Sequence, residues 1–537
     1  MKTSSRKSIM LLVLTLLLSI ALAACTSEPD DSDGATASNE DSGEGEGQGG
    51  DLVIATLSDA VTLDPAASND TPSSDIQINI FETLVTQDEN MEVQPGLAKS
   101  WKIVDDLTWE FELREGVTFH DGTEFNAEVV KANIERTLDP EIAAPTSFMY
   151  DMITDIKVID EHTVQFTTEF PFAPLPAHLA HPGGLMISSE QIEEDYEAMK
   201  DGEEPGSIIN EHPQGTGAFK FEEWESGQYV KLVKNEDYWD ESALLDSVTF
   251  KVVPEDLTRF AELETGDSHI SNPLSPSDVA QVEARDGMTV QRQESSSLSY
   301  VGFNMSKEPF DDERVRQAIS MAINKDQIID GIYDGIGNPA NGPLAPGIFG
   351  YDENISGLEY DQEEAKSLLA DAGYEDGFSA TLWTNDNRER IDTATNVQAQ
   401  LAEIGIDLEI EILEWGAMLE QTANGAHEMF VFGWTTVTGD ADNGMYPLFH
   451  SDNLGSAGNR TFTENEQLDE LLSGARQTSD ADERLELYSQ AQEMLVEIAP
   501  MVYIHNQEYI LGVSEKVNGL SQLPTQLLQL KEVYLEE

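Results

Sequence analysis

Apolar and polar residues alternate along short segments in the first half of the chain, and this alternation predicts β-strands. Trp109, Phe111 and Leu113 share one face of such a segment. Two further alternating segments flank the polar triplet Asp160–His162, which is typical of a hairpin. The first half is therefore expected to be rich in strands, with helices inserted between them.

The second half has a helical period instead. Asp361 and Glu364 form a capping box for a helix that ends at Gly373, and a strand and a second helix follow, the latter ending at Gly405. The segment Ile406–Ile412 alternates again as a strand. Helices that alternate with strands predict a parallel sheet covered on both faces. Because residues 51–537 are about three times the usual domain length of ~150 residues, we expect a mixed α/β protein of more than one domain.

The N-terminal segment predicts export. Lys2, Arg6 and Lys7 precede an apolar run over residues 9–24 that is too short to span a bilayer, which is typical of a signal peptide. Cys25, the only cysteine, follows it directly and leaves no partner for a disulfide. Residues 26–50 are polar, acidic and devoid of cations, so they are predicted to form a disordered tether.

The sequence Leu22–Cys25 resembles the lipobox of bacterial lipoproteins, in which the cysteine carries the lipid anchor. This resemblance implies a protein held at the extracytoplasmic face of the cell membrane. The alternative is a plain secreted protein in which Cys25 has no such role.

Charge excludes some partners. The chain has 103 acidic and 29 basic residues and a net charge of −74, so nucleic acid is not an expected partner. The acids are spread along the whole chain, and their mutual repulsion is relieved by salt. We expect a halophilic source, with a surface adapted only for solubility as the alternative.

Ten motifs in the same order along the chain resemble family 5 solute-binding proteins, the peptide and nickel receptors of ABC importers. They span nearly all of the globular body: Leu97–Trp101, Thr108–Arg114, Phe119–Gly122, Phe125–Val130, Gly215–Phe219, Asn235–Trp239, Phe303–Asn304, Phe310–Ala318, Gly342–Pro346 and Gly439–Asp442.

The resemblance implies a two-lobed periplasmic-binding-protein-like α/β fold of class II, with an extra subdomain inserted in lobe I, that closes on its ligand. It also implies a monomer that docks on ABC permease subunits, with no cofactor and no metal. The expected boundaries are signal peptide 1–24, lipidated cysteine and tether 25–50, lobe I 51–80, inserted subdomain 81–214, lobe I 215–296, lobe II 297–505 and lobe I 506–537. The hinge is expected near 298–303 and 501–505.

The expected ligand site follows the apolar run Met429–Phe432, because ligands of open α/β sheets bind beyond the carboxyl ends of strands. Trp434 offers an aromatic wall, and hydroxyls and carboxylates follow it. Arg460 is a candidate partner for a ligand carboxylate in a chain with so few cations. The alternative is an acidic solvent loop around a core tryptophan. From the first lobe, the resemblance adds three cleft residues, so that the predicted ligand-binding set is Thr71, Ser73, Ser74, Trp434, Thr435, Thr436, Asp440, Asp442 and Arg460.

One departure from the family bears on the solute. Peptide receptors carry an aspartate three residues after this tryptophan to bind the peptide amino terminus, and here that position is Val437. Asp440 or Asp442 is then expected to supply the charge, and the segment 433–442 is most similar to that of glutathione receptors. We therefore predict a peptide or glutathione-like solute, with a nickel chelate or another small organic solute as the alternative.

Two other classes compete with a receptor. A secreted hydrolase is disfavoured because the sequence has no Gly-x-Ser-x-Gly elbow, His-Glu-x-x-His helix or P-loop. A passive surface protein would bind no small molecule. His178 and His181 have helical spacing, but no carboxylate follows them nearby, so they do not predict a zinc site.

Overall fold

The computed structural model describes residues 49–455 and 458–536. The predicted signal peptide 1–24, the predicted lipidation site Cys25 and the predicted tether up to residue 48 lie outside these residues. Gly50, at the end of the predicted tether, exchanges two hydrogen bonds of 2.9 Å with Asp246, one with its side chain and one with its backbone. The globular body therefore begins at or before this residue.

A seven-stranded sheet forms the first lobe. Its central strand, Asp51–Thr56, pairs in parallel with a neighbour on each side. A strand from the C-terminal end of the chain, Glu508–Ser514, is inserted between two earlier strands. In spatial order the strands are Met288–Glu294, Glu508–Ser514, Ile270–Asn272, Asp51–Thr56, Ser247–Val252, Tyr229–Lys234 and Phe219–Glu225.

A six-stranded sheet forms the second lobe and carries a core on each face. Along the strand Ser297–Phe303, Leu298 and Tyr300 enter one core while Val301 and Phe303 enter the other, as the period of two requires. In spatial order the strands are Asn338–Pro339, Met501–Asn506, Ser297–Phe303, Met429–Thr435, Phe378–Asn385 and Ile406–Leu413.

The prediction of a parallel sheet in the second half is correct for only part of this sheet. The last three strands in that order are parallel to one another. The strand Ser297–Phe303 is antiparallel to both of its neighbours, and the sheet is therefore mixed. Its antiparallel strands come from segments that are distant in sequence, which the local helix–strand alternation does not report.

A four-stranded antiparallel sheet lies within the predicted inserted subdomain, in the order Ala98–Asp105, Thr108–Leu113, Thr163–Thr168 and Ile153–Asp160. The predicted strand and the predicted hairpin are both present. Phe111 and Phe166 meet edge to face in its core, with ring centroids 5.5 Å apart. Further along the segment, Leu185, Ile187 and Ile209 pack into the core of the seven-stranded sheet instead.

The helices follow local capping rules. Asp361 accepts hydrogen bonds from the backbone N–H groups of Glu363 and Glu364, and Gly373, just past the helix end, has a φ of +92°. The α-helices of the described residues are Thr71–Ile80, Ala127–Leu138, Leu175–Leu179, Ser189–Lys200, Ser207–Glu211, Asp256–Thr265, Val279–Glu283, Glu313–Ala322, Lys325–Ile332, Gln362–Asp371, Arg388–Ala402, Trp415–Ala423, Ala441–Phe449, Glu466–Gln477 and Ala481–Ile498.

Shorter elements complete the fold. Three strand pairs are Val85–Gln87 with Val93–Pro95, Val517–Asn518 with Tyr534–Leu535, and Ser521–Gln522 with Leu528–Gln529. The 3₁₀ helices are Ser147–Met149, Pro182–Gly184, Pro276–Asp278 and Ser451–Asn453.

The chain passes between the two large sheets twice. It leaves the first sheet after Glu294 and enters the second at Ser297, and it returns between Asn506 and Glu508. The two passages lie side by side, because the Asn506 side chain donates to the Ser297 carbonyl at 2.9 Å. The segments 298–303 and 501–505 themselves lie inside strands, directly beside these passages. The described residues thus form a two-lobed α/β fold, as predicted.

Candidate functional site

A cavity of about 460 Å³ lies in the first lobe, and we call it the main cavity. The helix Thr71–Ile80, the C-terminal segment 519–532 and part of the predicted inserted subdomain form its walls. Val437 of the second lobe lines it as well, so residues of both lobes reach the main cavity.

The start of the helix Thr71–Ile80 sets one wall. Asp70 caps the helix by accepting the Ser73 N–H at 2.9 Å. Thr71 and Ser74, three residues apart on one helical face, both line the main cavity. Ser73 points elsewhere, and its hydroxyl accepts the N–H of Val61 at 2.9 Å. Two of the three predicted first-lobe residues are therefore at the cavity, whereas Ser73 holds the preceding loop.

The far wall combines an acid with aromatic rings. Glu82 accepts hydrogen bonds of 2.7 Å from Thr216, Tyr238 and Trp239, and burial raises the pKa of its carboxyl. The guanidinium of Arg114 lies over the Trp239 ring, 4.8 Å from its centroid. Because neutral donors already bind both oxygens of Glu82, this wall presents a hydrogen-bonded polar surface, and the Glu82 carboxyl is not free to bind a cation.

In the second lobe, the predicted loop begins where the strand Met429–Thr435 ends. Trp434 is half-buried, and its indole N–H donates to the Asn443 carbonyl at 2.9 Å. Thr435 is half-buried at the sheet edge, paired with Ser297. Thr436 is buried, and its N–H donates to the carbonyl of Ser296. Trp434 and Thr435 thus remain accessible at the passage between the lobes. Thr436 is instead buried, and its backbone bonds to the chain segment that joins the two sheets.

Asp440 and Asp442 are both engaged in ion pairs within the protein. Arg484 binds Asp440 at 2.8 Å, and Arg476 binds both oxygens of Asp442 at 2.9 Å each. Both aspartates are nearly inaccessible, with 4% and 1% of their surface exposed, and neither lines the main cavity. The structure therefore does not place them where the predicted amine-binding role requires.

The second lobe also touches the segment that carries His178. The Nε2 atom of His178 lies 3.8 Å from an Asp442 oxygen, a carboxylate that is distant in sequence. Burial lowers the pKa of His178, against the pull of Asp442. Beside it, the Ala173 N–H donates to the Arg476 carbonyl at 3.0 Å. Through these contacts the second lobe meets the segment that carries Ala173 and His178.

Three arginines in the second lobe, Arg316, Arg390 and Arg460, have no carboxylate partner within 4.0 Å among the described residues. Arg316 instead donates to backbone carbonyls, including that of Ile498 at 2.7 Å. The guanidinium groups of Arg390 and Arg460 lie 5.9 and 5.8 Å from the centroid of the same Phe432 ring. Each donates one hydrogen bond of 3.2 Å to a neutral side chain, Asn385 or Thr422. Burial lowers the pKa of both. Arg460 was predicted from sequence, whereas Arg390 was missed, although it follows the carboxyl end of a strand of the parallel group.

The family model for bacterial extracellular solute-binding proteins, family 5 (Middle), matches residues 92–456. The chain belongs to this family. This solute-binding protein is 34% identical over 486 residues to the glutathione-binding protein GsiB of Salmonella typhi, covering 88% of this chain and 92% of that one.

Solved structures of similar proteins support the same family assignment. DppA from Helicobacter pylori in complex with the peptide STSA superposes with a TM-score of 0.77 at 34% identity, covering 91% of this chain and 99% of that chain. HbpA2 from Haemophilus parasuis gives a TM-score of 0.82 at 28% identity, covering 91% and 100%. The resemblance and the two-lobed fold predicted from the sequence are thus confirmed.

Two further properties of this solute-binding protein concern metals and membranes. Within residues 49–455 and 458–536, no three or more His, Cys, Asp or Glu side chains come together in a group that could hold a metal ion. None of the helices in that same part of the chain has the length and apolar character needed to cross a bilayer.

Proposed function

We propose that this protein is the substrate-binding lipoprotein of an ABC importer and that it captures a peptide or glutathione-like solute by its carboxylate. The unpartnered pair Arg390 and Arg460 in the second lobe carries this proposal. Lobe closure then holds the solute between this pair and the main cavity of the first lobe. The closed protein docks on the permease and delivers the solute to it.

The physical reason is the state of the two guanidinium groups. Each is half-buried and makes one neutral side-chain hydrogen bond, so most of its donors lack a strong acceptor. A buried charge without a counter-ion is costly, and a carboxylate that accepts from it forms short, charge-assisted bonds. A solute carboxylate is therefore the group that Arg390 and Arg460 are suited to receive.

The relatives support the same class of solute. One is named a glutathione-binding protein, and one solved structure holds a peptide. They are solute-binding proteins, which supports transport rather than catalysis as the role of this chain. We further propose that the protein acts as a monomer, that Cys25 carries a lipid anchor at the extracytoplasmic membrane face, and that the acidic surface serves a saline habitat.

Calorimetric titration tests the proposal with two ligands, glutathione and Ala-Ala-Ala. Each is compared with a form in which every carboxyl group is amidated. Arg390→Gln and Arg460→Gln should each weaken binding of the free acid about 10- to 100-fold, since hydrogen bonds to charged groups contribute roughly 1.5–3 kcal/mol. The matched control is Arg388→Gln in the same helix, whose side chain is 89% exposed. Equal affinity for acid and amide, or no effect of either arginine substitution, would contradict the proposal.

A further inference from the structure

A second cavity of about 290 Å³ lies across the helix Thr71–Ile80 from the main cavity. It is found at the carboxyl ends of three parallel strands of the first sheet, where Thr56, Val252 and Asn272 line it. Thr71 lines both cavities, so the second cavity adjoins the first at the start of this helix. Carboxyl ends of parallel strands are where open α/β sheets bind their ligands.

Asp75 projects from the helix to this second cavity and is only 4% exposed. One of its oxygens accepts the Leu528 N–H at 2.6 Å, and among the described residues it has no cation within 4.0 Å. This separates it from Asp440 and Asp442, which are buried against arginines. Burial raises the pKa of Asp75 to about 7, against the lowering effect of the Leu528 hydrogen bond.

A carboxamide faces the same cavity without a partner. Asn272 is 8% exposed, and its side-chain oxygen makes no hydrogen bond among the described residues. Buried carboxamides nearly always have partners in folded proteins, so this oxygen offers the second cavity an acceptor that no described side chain uses. The remaining walls are largely apolar, with contributions from Ile76, Phe250 and Pro273.

The other acid at the second cavity is already satisfied. Asp59 accepts hydrogen bonds from the Trp224 indole at 3.1 Å and from the Gly227 N–H at 2.7 Å. No lysine, arginine or histidine is among the residues that line the cavity in the described part of the chain. Neither acid has a cation within 4.0 Å among the described residues, but neutral donors bind both oxygens of Asp59, whereas Asp75 has one donor there, the Leu528 N–H. The cavity therefore combines an incompletely hydrogen-bonded acid, a carboxamide oxygen without a partner and apolar walls.

We propose that this second cavity is a subsite for an alkylammonium group, which Asp75 and Asn272 bind while the apolar walls hold the attached carbon chain. As a part of the solute-binding cleft, the subsite rests on the proposed function, and it deepens that function by selecting solutes that carry an ammonium group on a carbon chain as well as a carboxylate. The ammonium selectivity itself is measurable without the transported solute.

The probes are pentylammonium, its neutral isostere pentanol and the anion pentanoate, titrated against the full mature protein by ligand-observed NMR. A medium of 1 M NaCl screens diffuse attraction to the acidic surface. Pentylammonium should bind at least about tenfold more tightly than pentanol, as expected for a hydrogen bond to a charged group. Asp75→Asn should reduce this preference to within about twofold. Asp278→Asn, which removes a buried acid elsewhere in the first lobe, should leave it intact.

Each outcome of these titrations either supports or overturns the subsite. No preference for pentylammonium, or a preference that survives Asp75→Asn, overturns the subsite and assigns the binding to the surface. Should Asp75→Asn fail to fold, Asn272→Ala and the contrast among the three probes decide in its place. Glutathione is titrated in parallel: a pentylammonium preference without glutathione binding supports the subsite and refutes the proposed glutathione-like solute.

Discussion

Replacing Arg476 by methionine should destabilise the protein by about 3–5 kcal/mol, the usual cost of removing one partner of a buried ion pair. The substitution leaves Asp442 charged with 1% of its surface exposed. It removes two hydrogen bonds of 2.9 Å and a guanidinium that lies 3.5 Å from the Tyr446 ring centroid. The methionine stem keeps most of the apolar packing, so the loss is mainly electrostatic.

Urea unfolding in 1 M NaCl measures this change, followed by tryptophan fluorescence and far-UV circular dichroism so that coincident transitions justify a two-state analysis. The double variant Arg476→Met/Asp442→Leu should cost less than the sum of its single variants, because no unpaired charge remains. Lys366→Met is the control, since its partner Glu363 is 89% exposed and such pairs contribute about 1 kcal/mol or less. A cost below about 1 kcal/mol for Arg476→Met would refute the reasoning. If Asp442→Asn lost glutathione binding but kept its stability, Asp442 would instead be a ligand-binding residue, as predicted from the sequence.

Three further predictions concern the whole fold. Raising NaCl from 0.1 to 1 M shortens the screening length from about 10 to 3 Å, so the melting temperature should rise with salt, and a flat profile would contradict the inferred saline habitat. Burial lowers the pKa of His505 to about 4, so stability should fall as pH drops from about 6.5 to 4, by up to roughly 3 kcal/mol from this group. His505→Leu should flatten that slope in urea midpoints measured at pH 4.5 and 7.5, and an unchanged slope would assign it to other groups. Gly215→Ala should lower the melting temperature because its Cβ would lie 2.1 Å from the Ile80 carbonyl oxygen, whereas Gly331→Ala, with no atom within 4 Å, should be neutral or stabilising; equal effects would contradict this.

Local patterns predicted local structure. The strand Thr108–Leu113 and the helix Gln362–Asp371 follow from alternation and capping within a few residues of sequence, and both are present. Strand order depends instead on pairing between distant segments. The strand Ser297–Phe303 pairs with a strand that begins at Met501, and no period within either segment records that they meet. This is why the parallel group was predicted and the mixed character of the sheet was not.

The candidate site divides in the same way. The family resemblance pointed to Thr71, Ser73 and Ser74, and the structure has Thr71 and Ser74 at the main cavity but turns Ser73 to the preceding loop. Asp440 and Asp442 looked available in sequence because their arginine partners come 44 and 34 residues later, beyond any local motif. Asp75 is the opposite case, a candidate that sequence reasoning missed. An acid inside a predicted helix is usually exposed, and only the fold shows that this one is buried without a cation.

The scarcity of cations is what makes the unpartnered arginines informative. With 29 basic residues against 103 acids, most guanidinium groups would be expected to find a carboxylate. The buried Arg136 binds two aspartates, and the buried Arg316 instead donates to backbone carbonyls, including that of Ile498 at 2.7 Å. Arg390 and Arg460 have neither arrangement, although acids surround the fold. Under the proposed function, the carboxylate that Arg390 and Arg460 bind is that of the solute, which explains why none of the described acids pairs with them within 4.0 Å.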